Sequence, residues 1–193
     1  MIAAIVLAAG FSRRMGSPKL ALPWGSTTVL GQVLQVLRAA GVDETIAVTG
    51  AERKVVEAIC ATEATRTVLN PLYQTGDMLS SLQAGLRALA PTTPAALVVL
   101  GDQPRIQAAV VQAVMQQRAE QGASLVVPSY RQRRGHPWLI GAEWWAEVLE
   151  MRPPTTLRDF LHRHSAEAVY LEVWDDSIIQ DIDTREDYLK SRP

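Results

Sequence analysis

The chain carries one cysteine, Cys60, so no internal disulfide can form and a reducing cytoplasm suits it. Neither sign of charge dominates: 19 Lys and Arg stand against 20 Asp and Glu, a formal net charge of −1. That balance argues against a nucleic-acid partner held through a broadly basic surface. No apolar run reaches membrane length, and the run near the N-terminus has no basic region ahead of it. Neither a signal segment nor a membrane partner is therefore expected. Internal repeats, low-complexity tracts and interdomain linkers are missing as well. The 193 residues, 48% hydrophobic, read as a single domain over 1–193, long enough for a proper core. A monomer is the expected state.

What is present concentrates in one stretch. Residues 2–7 form a continuous apolar run ending at Leu7, the pattern of a strand buried on both faces. The chain then changes to Ala8, Ala9 and Gly10, followed by Ser12, Arg13, Arg14, Gly16 and Lys19. Small residues let backbone amides come close to a ligand. Arg13 and Arg14 can neutralise phosphate oxygens in two-pronged fashion, and Lys19 as a point charge. The stretch reads as a loop that wraps the triphosphate of a nucleotide; the competing reading is an ordinary strand-to-helix loop with a basic surface. It is not a Walker A motif, because Ser17-Pro18-Lys19 follows Gly16, and Gly10 with Gly16 does not make G-x-G-x-x-G.

Further strands are expected over 45–49, 67–69, 95–100 and 124–128. Helices should alternate with them: one capped by Ser26 or Thr27 and running to about residue 40, then 52–60, 78–89 opened by the Gly76-Asp77 turn, and 107–121 stopped by Gly122. This rhythm predicts an α/β fold, a three-layer, doubly wound and mostly parallel sheet. Beyond it, 129–137 looks like an exposed loop or hairpin, 142–149 a helix, and 156–164 a helix capped by Thr155 or Thr156. A strand over 169–173 and an extended stretch over 178–182 precede a last helix capped by Thr184, with Asp187 in its first turn.

Ligands of open α/β sheets sit beyond the carboxyl ends of the strands. Three polar clusters fall at such ends: the 10–19 loop, Asn70-Pro71, and Gly101-Asp102-Gln103-Pro104. A carboxylate at Asp102 facing a triphosphate calls for a counter-ion. Mg²⁺ suits that role, with Mn²⁺ as the alternative ion, held by one or two carboxylates and the substrate's phosphates. Asp183, closing the extended stretch, is the best second ligand, ahead of Asp181. The plainer readings are a turn residue at Asp102 and a cap at Asp183. With the loop's cations and a metal at Asp102 lowering the repulsion, a phosphate oxygen could attack the α-phosphorus of a nucleotide and release pyrophosphate. No Ser-His-Asp or Cys-His nucleophile is needed.

Elsewhere, His136 stands between contact with an acceptor and ordering of its own loop, and Arg131, Arg133 and Arg134 between attracting an anion and simple solvation. Ser80 and Ser81 stand between ligand contact and helix capping. Trp138, Trp144 and Trp145 read as core residues in the first instance, as does Cys60. His162 and His164 lie two apart on a helix and so face different sides.

Together the segments Leu7-Ala-Ala-Gly10, Ser12-Arg-Arg-Met-Gly16, Lys19-Leu20, Asn70-Pro71, Ser80-Ser81-Leu82 with Gly85, Gly101-Asp-Gln-Pro104, Arg134-Gly-His-Pro137 and Asp181-Ile-Asp-Thr184 resemble the MobA-like nucleotidyltransferases. Within them the closest likeness is to the molybdenum cofactor cytidylyltransferases. The resemblance implies a nucleotide-diphospho-sugar transferase-like, Rossmann-like fold. It implies transfer of CMP from CTP to phosphorylated molybdopterin, with a molybdoenzyme or its chaperone as a further partner. By the same resemblance Leu7, Ala8, Ala9, Gly10, Ser12, Arg13, Arg14, Gly16, Lys19, Asn70, Ser81 and Gly101 bind the nucleotide. The resemblance makes Arg14, Lys19 and Asp102 the catalytic group, with Asp102 and Asp183 holding the metal and His136, Arg134 and Arg158 binding the acceptor. Arg158 is the matching arginine of a segment, 152–158, that otherwise departs from the family pattern. Guanylyl-transferring relatives carry Leu-Ala-Gly-Gly at the start, so the methyl of Ala9 favours a pyrimidine, a discrimination of ~1–3 kcal/mol. Two alternatives stay open: a sugar or polyol phosphate as acceptor, and a non-catalytic carrier of the mature cofactor.

Overall fold

Strand β1 (Ala3–Ala8) forms in the middle of an eight-stranded sheet because both of its faces are apolar. Ala4, Val6 and Ala8 enter one core while Ala3 and Ile5 enter the other, as the two-residue period of a strand requires. The computed structural model describes residues 1–75 and 77–193, so the Gly76 half of the expected turn at 76–77 lies outside the described residues. A two-stranded hairpin, β2 (Pro23–Trp24) with β3 (Thr27–Thr28), stands apart from the sheet. β4 (Glu44–Thr49) pairs with β1 in parallel and β5 (Arg66–Leu69) extends the sheet beyond it. β6 (Ala95–Leu100) flanks β1 on the other side, also parallel. β7 (Leu125–Tyr130), with β8 (Arg133–Arg134) folded back on it, is separated from β6 by β9 (Trp138–Gly141), which runs antiparallel to both. β10 (Val169–Glu172) closes that edge, parallel to β7.

Helices cover both faces. Leu30, Val33 and Leu37 of α1 (Val29–Ala39), Val56 and Cys60 of α2 (Arg53–Thr62), and Val111 and Val114 of α4 (Ala108–Gln121) share one core. Leu79 and Leu82 of α3 (Met78–Ala88), Val148 of α5 (Trp145–Glu150), and Leu157 and Phe160 of α6 (Leu157–Arg163) share the other. Tyr188 of α7 (Arg185–Ser191) leans on the first. The three-layer, mostly parallel α/β architecture expected from the residue pattern is the architecture observed. Cys60 is fully buried, and burial pushes its thiol up to about 11. Among the described residues, no helix is long and apolar enough to cross a membrane.

Several local expectations need correction. Thr28, not Ser26 or Thr27, caps α1: its Oγ1 accepts the Gly31 N–H at 3.0 Å, because residues 23–28 are spent on the hairpin. Thr156 and Thr184 do cap their helices, each in a reciprocal box with Asp159 or Asp187. The stretch over 138–141 is a strand that the residue pattern did not reveal; all four of its residues are buried, so no alternation marks it. Residues 178–182 do not form a strand, although Gln180 itself has extended backbone. A 3₁₀ turn occupies Asp176–Ile179, with the Asp175 carboxylate accepting from Ser177 N–H at 2.6 Å. The chain that follows makes its backbone bonds to loops and not to a strand.

Gly85 faces Ile5 across the α3–β1 contact, where an added Cβ would overlap Ile5 Cγ2. Gly85→Ala should therefore destabilise the fold by about 1–3 kcal/mol through overpacking. A lower urea midpoint with an unchanged m-value would show it.

Candidate functional site

The parallel strands β1, β4, β5 and β6 deliver their carboxyl ends to one side of the sheet, so the turns after Ala8, Thr49, Leu69 and Leu100 meet there. The Ala51 N–H donates to the Ala9 carbonyl at 3.2 Å, and the Gly101 N–H to the Leu7 carbonyl at 3.1 Å. Gly50 permits the first of these contacts: a Cβ there would lie 2.5 Å from the Ala9 oxygen and 2.7 Å from Tyr73 Cβ. Sequence reasoning did not single out Gly50, since the need for it arises only when β4 and β1 are side by side.

A charge cluster occupies the β1–β6 side. Lys19 Nζ pairs with Asp102 and, at 3.1 Å, with Asp183, while Arg14 Nη2 reaches the other Asp183 oxygen at 2.9 Å. The Ser12 hydroxyl accepts the Lys19 backbone N–H at 3.0 Å and so shapes the loop that presents this lysine. The Lys19 and Asp102 side chains are only 16% and 19% exposed. Burial pulls the Lys19 ammonium down, but Asp102 and then Asp183 more than offset it, and the net shift is upward. Asp181 lies close by. Burial, then the Asp102 charge, raises its carboxyl, against a 2.6 Å hydrogen bond from Gln103. Three carboxylates thus face two cations, which leaves an excess of acid in one place. Among the described residues no group of three or more His, Cys, Asp or Glu side chains is arranged as a metal cage.

Two cavities take in other expected residues, and neither is lined by Lys19, Asp102 or Asp183. The smaller, about 280 Å³, is lined by Leu7, Ala9, Gly10, Asn70, Tyr73, Ser81 and Leu100. Asn70 is buried and organises its floor: its Nδ2 donates to the Ser80 and Ser81 hydroxyls at 2.9 and 3.0 Å, and its Oδ1 accepts from Leu72 N–H at 2.9 Å. Ser81 accepts from Asn70, which leaves its own O–H to donate into the cavity. The larger cleft, about 440 Å³, brings together Arg134, His136 and Arg158 over an apolar base that includes Trp138, Leu157 and Leu161. Asp77 and Met78 line both cavities, so the two flank the start of α3. The Asp77 carboxylate caps that helix, accepting from Leu79 N–H at 2.9 Å.

His136 Nδ1 lies 3.2 Å from the Val98 carbonyl oxygen, so that nitrogen carries the proton and Nε2 is an acceptor. Burial lowers the His136 pKa, outweighing the raising effects of the Val98 carbonyl and Asp102, and the ring is neutral near pH 7. A neutral ring with Nε2 free can accept a hydrogen bond from a donor in the cleft.

Not every expected residue faces the cavities. The strand's alternation turns Ala8 into the core beneath α1. Arg13 Cζ lies 4.5 Å from the centre of the Phe11 ring, away from the carboxylates. Gly16, at φ +67°, bends the loop, and Gly101 contributes backbone only. Trp138 is 2% exposed and packs on Phe160, yet it also walls the larger cleft. Trp144 packs on Phe160 and His164, and His164 pairs with Glu147 at 2.9 Å. Tyr73 and Gln103 were not anticipated individually; neither has a sequence signal of its own.

Comparison with known proteins identifies the family. The family model described as the MobA-like NTP transferase domain matches residues 4–169. The chain is 28% identical to the molybdenum cofactor cytidylyltransferase of Escherichia coli K12, over 97% of this chain and 94% of that one. It is 34% identical to the bifunctional protein GlmU of Syntrophomonas wolfei over 130 residues, which is 66% of this chain but only 28% of GlmU's length. Among solved structures, a nucleotidyl transferase from Methanothermobacter superposes with a TM-score of 0.84 at 26% identity, covering 100% of this chain and 96% of the other. Rv0371c of Mycobacterium tuberculosis H37Rv, in its complex with manganese, gives 0.81 at 28% identity, covering 98% and 96%. The chain belongs to the MobA-like NTP transferase domain family, and its activity is nucleotidyl transfer.

Proposed function

We propose that residues 1–193 form one cytidylyltransferase domain that moves CMP from CTP to phosphorylated molybdopterin and releases pyrophosphate. The observation that carries this reading is the Lys19 ammonium shared between Asp102 and Asp183, with Asp102 two residues beyond Leu100 in the lining of the smaller cavity. The likeness over nearly the full length to the E. coli cytidylyltransferase supports the choice of substrates. In this reading the nucleoside enters the smaller cavity. Leu7, Ala9 and Gly10 offer close backbone, and Ser81 offers a hydroxyl that Asn70 orients. The acceptor lies in the larger cleft, with Arg134 and Arg158 drawn to its phosphate and the His136 Nε2 accepting from a ring donor. Arg14 and Lys19 exchange their carboxylate partners for phosphate oxygens, which holds the α-phosphorus in line with the incoming oxygen. Arg13 and Gly16 shape and charge the loop's outer side.

The donor set fits a divalent ion. Asp102 and Asp183 supply two carboxylates within a locally acidic cluster, and Mg²⁺ or Mn²⁺ commonly takes one or two carboxylates with the rest of its shell from phosphates and water. Bound there, the ion would offset charge on the phosphates and the leaving pyrophosphate. The manganese complex of the related Rv0371c supports an ion of this class. A cytoplasmic setting agrees with the lone, buried Cys60.

Pyrophosphate release should be fastest with CTP and molybdopterin when the four nucleotides are tested against molybdopterin and a panel of sugar and polyol phosphates. Turnover of a sugar phosphate alone would overturn the acceptor assignment, and a preference for GTP the nucleotide assignment. Asp102→Asn and Lys19→Ala should each lower kcat by roughly 10²–10³-fold, the usual scale for removing a group that stabilises developing charge. Cofactor delivery surviving in both, with no pyrophosphate release even from the unaltered protein, would favour the carrier reading.

The depressed His136 pKa has a consequence for stability. An unfolded chain binds the proton below about pH 6.5, whereas the folded chain does so only at lower pH. Folding is thus weakened as the pH falls through that window and unaffected above it. Between about pH 7 and pH 5, the melting temperature of the protein should fall more than that of His136→Gln. Parallel melting curves would contradict a buried neutral ring.

A further inference from the structure

Gln103 is 2% exposed and outside the charge cluster proper. Its Nε2 donates to Asp181 Oδ1 at 2.6 Å and to the Ile178 carbonyl at 3.2 Å. Both partners can only accept, which settles the orientation of the amide. Its Oε1 is buried and without a donor among the described residues. The Ile178 carbonyl also accepts the His136 N–H at 2.9 Å. Gly135 presses against the same residue; a Cβ there would lie 2.7 Å from Ile178 Cβ. Four residues on, the Ile182 N–H donates to the Asp102 carbonyl at 3.0 Å, and Asp183 then meets Lys19 and Arg14.

Residues 178–183 therefore form a strap with the larger cleft at one end and the carboxylate pair at the other. After the single 3₁₀ turn at Asp176–Ile179 the strap has no ladder or helix of its own. Its geometry depends on what ties it down, and Gln103 is the buried side chain that ties it to the turn after β6.

We propose that Gln103 is a positioning residue whose amide clamps the 178–183 strap, so that Asp183 stands opposite Asp102 and His136 faces the larger cleft. This rests on the reading of the two cavities as nucleotide and acceptor sites and adds a tie between the acceptor cleft and the carboxylate pair. Gln103 acts through Asp181 and Ile178 and touches no reacting atom.

Gln103→Glu keeps the size of the side chain, removes both N–H donors and sets a carboxylate against Asp181 and the Ile178 carbonyl. Mn²⁺ binding in the presence of CTP, followed by calorimetry and paramagnetic resonance, should weaken at least about tenfold, the scale for losing a group that orients a metal ligand. The Mg²⁺ concentration for half-maximal turnover and the acceptor KM should rise together. At saturation kcat should stay within about threefold, and CTP binding without metal should be unchanged. Pairing Gln103→Glu with Asp181→Asn restores an amide–carboxylate bond with the roles exchanged, and should recover much of the lost Mn²⁺ affinity. Should the single variant fail to fold, the double variant and Gln103→Asn carry the same measurements. The assignment is overturned if Mn²⁺ affinity and acceptor KM stay at the original values while only the melting temperature falls. It is equally overturned if kcat collapses with those constants unmoved, or if the paired substitutions are merely additive. A starting protein that does not turn over CTP sinks the functional reading; a variant that matches an active starting protein sinks only the role of Gln103.

Discussion

One ammonium between two carboxylates joins the ends of this chain. Lys19 comes from the first loop, Asp102 from the turn after β6, and Asp183 from a segment near the C-terminus. Two carboxylates at that spacing repel one another, and partial burial leaves the repulsion poorly screened. The lysine converts it into attraction, and Arg14 reinforces the outer carboxylate. Because Asp181 adds a third acid, the cluster remains short of positive charge even with both cations engaged. In the proposed reaction this shortage draws the divalent ion, while phosphates draw the cations; the resting ion pairs are then the scaffold from which both substrates assemble the working site.

The layout around that cluster follows from the sheet. Parallel strands must present their carboxyl ends to one side, and their turns are close enough to bond to one another: Ala51 to Ala9, Gly101 to Leu7. The start of α3 stands between two neighbouring cavities, with Asp77 and Met78 lining both. A transfer reaction needs this geometry, since donor phosphorus and acceptor oxygen must meet in a shared space that neither substrate fills alone.

Much of the architecture was legible because it depends on local chemistry. The apolar run into Leu7, the strand over 95–100, the stop at Gly122 and the boxes at Thr156 and Thr184 follow from rules that act over a few residues. The 10–19 loop announced itself by composition. β9 escaped notice because a strand with every residue buried has no alternation, and its Trp-Leu-Ile run is equally suited to other buried settings. The segment over 178–182 misled for a related reason. Ile178 and Ile182 are both buried, but the backbone between them is taken by Gln103, His136 and Asp102 and not by a neighbouring strand. Ala8 looked like part of the loop, and the pleat of β1 turned it into the core.

By itself, the order of residues determined which elements form, which of them are apolar on both faces, and which charged and small residues stand ready at their ends. Only the folded chain decided that Lys19 lies between Asp102 and Asp183, that Asn70 holds Ser81, and that Ile178 and Gln103 bond within a strap running from His136 to the carboxylate pair. The division has a physical cause. Periodicity, capping and turn chemistry are set by neighbours within a few positions, whereas the ion pairs and amide bonds of the site join residues tens of positions apart and exist only after the sheet has brought them together.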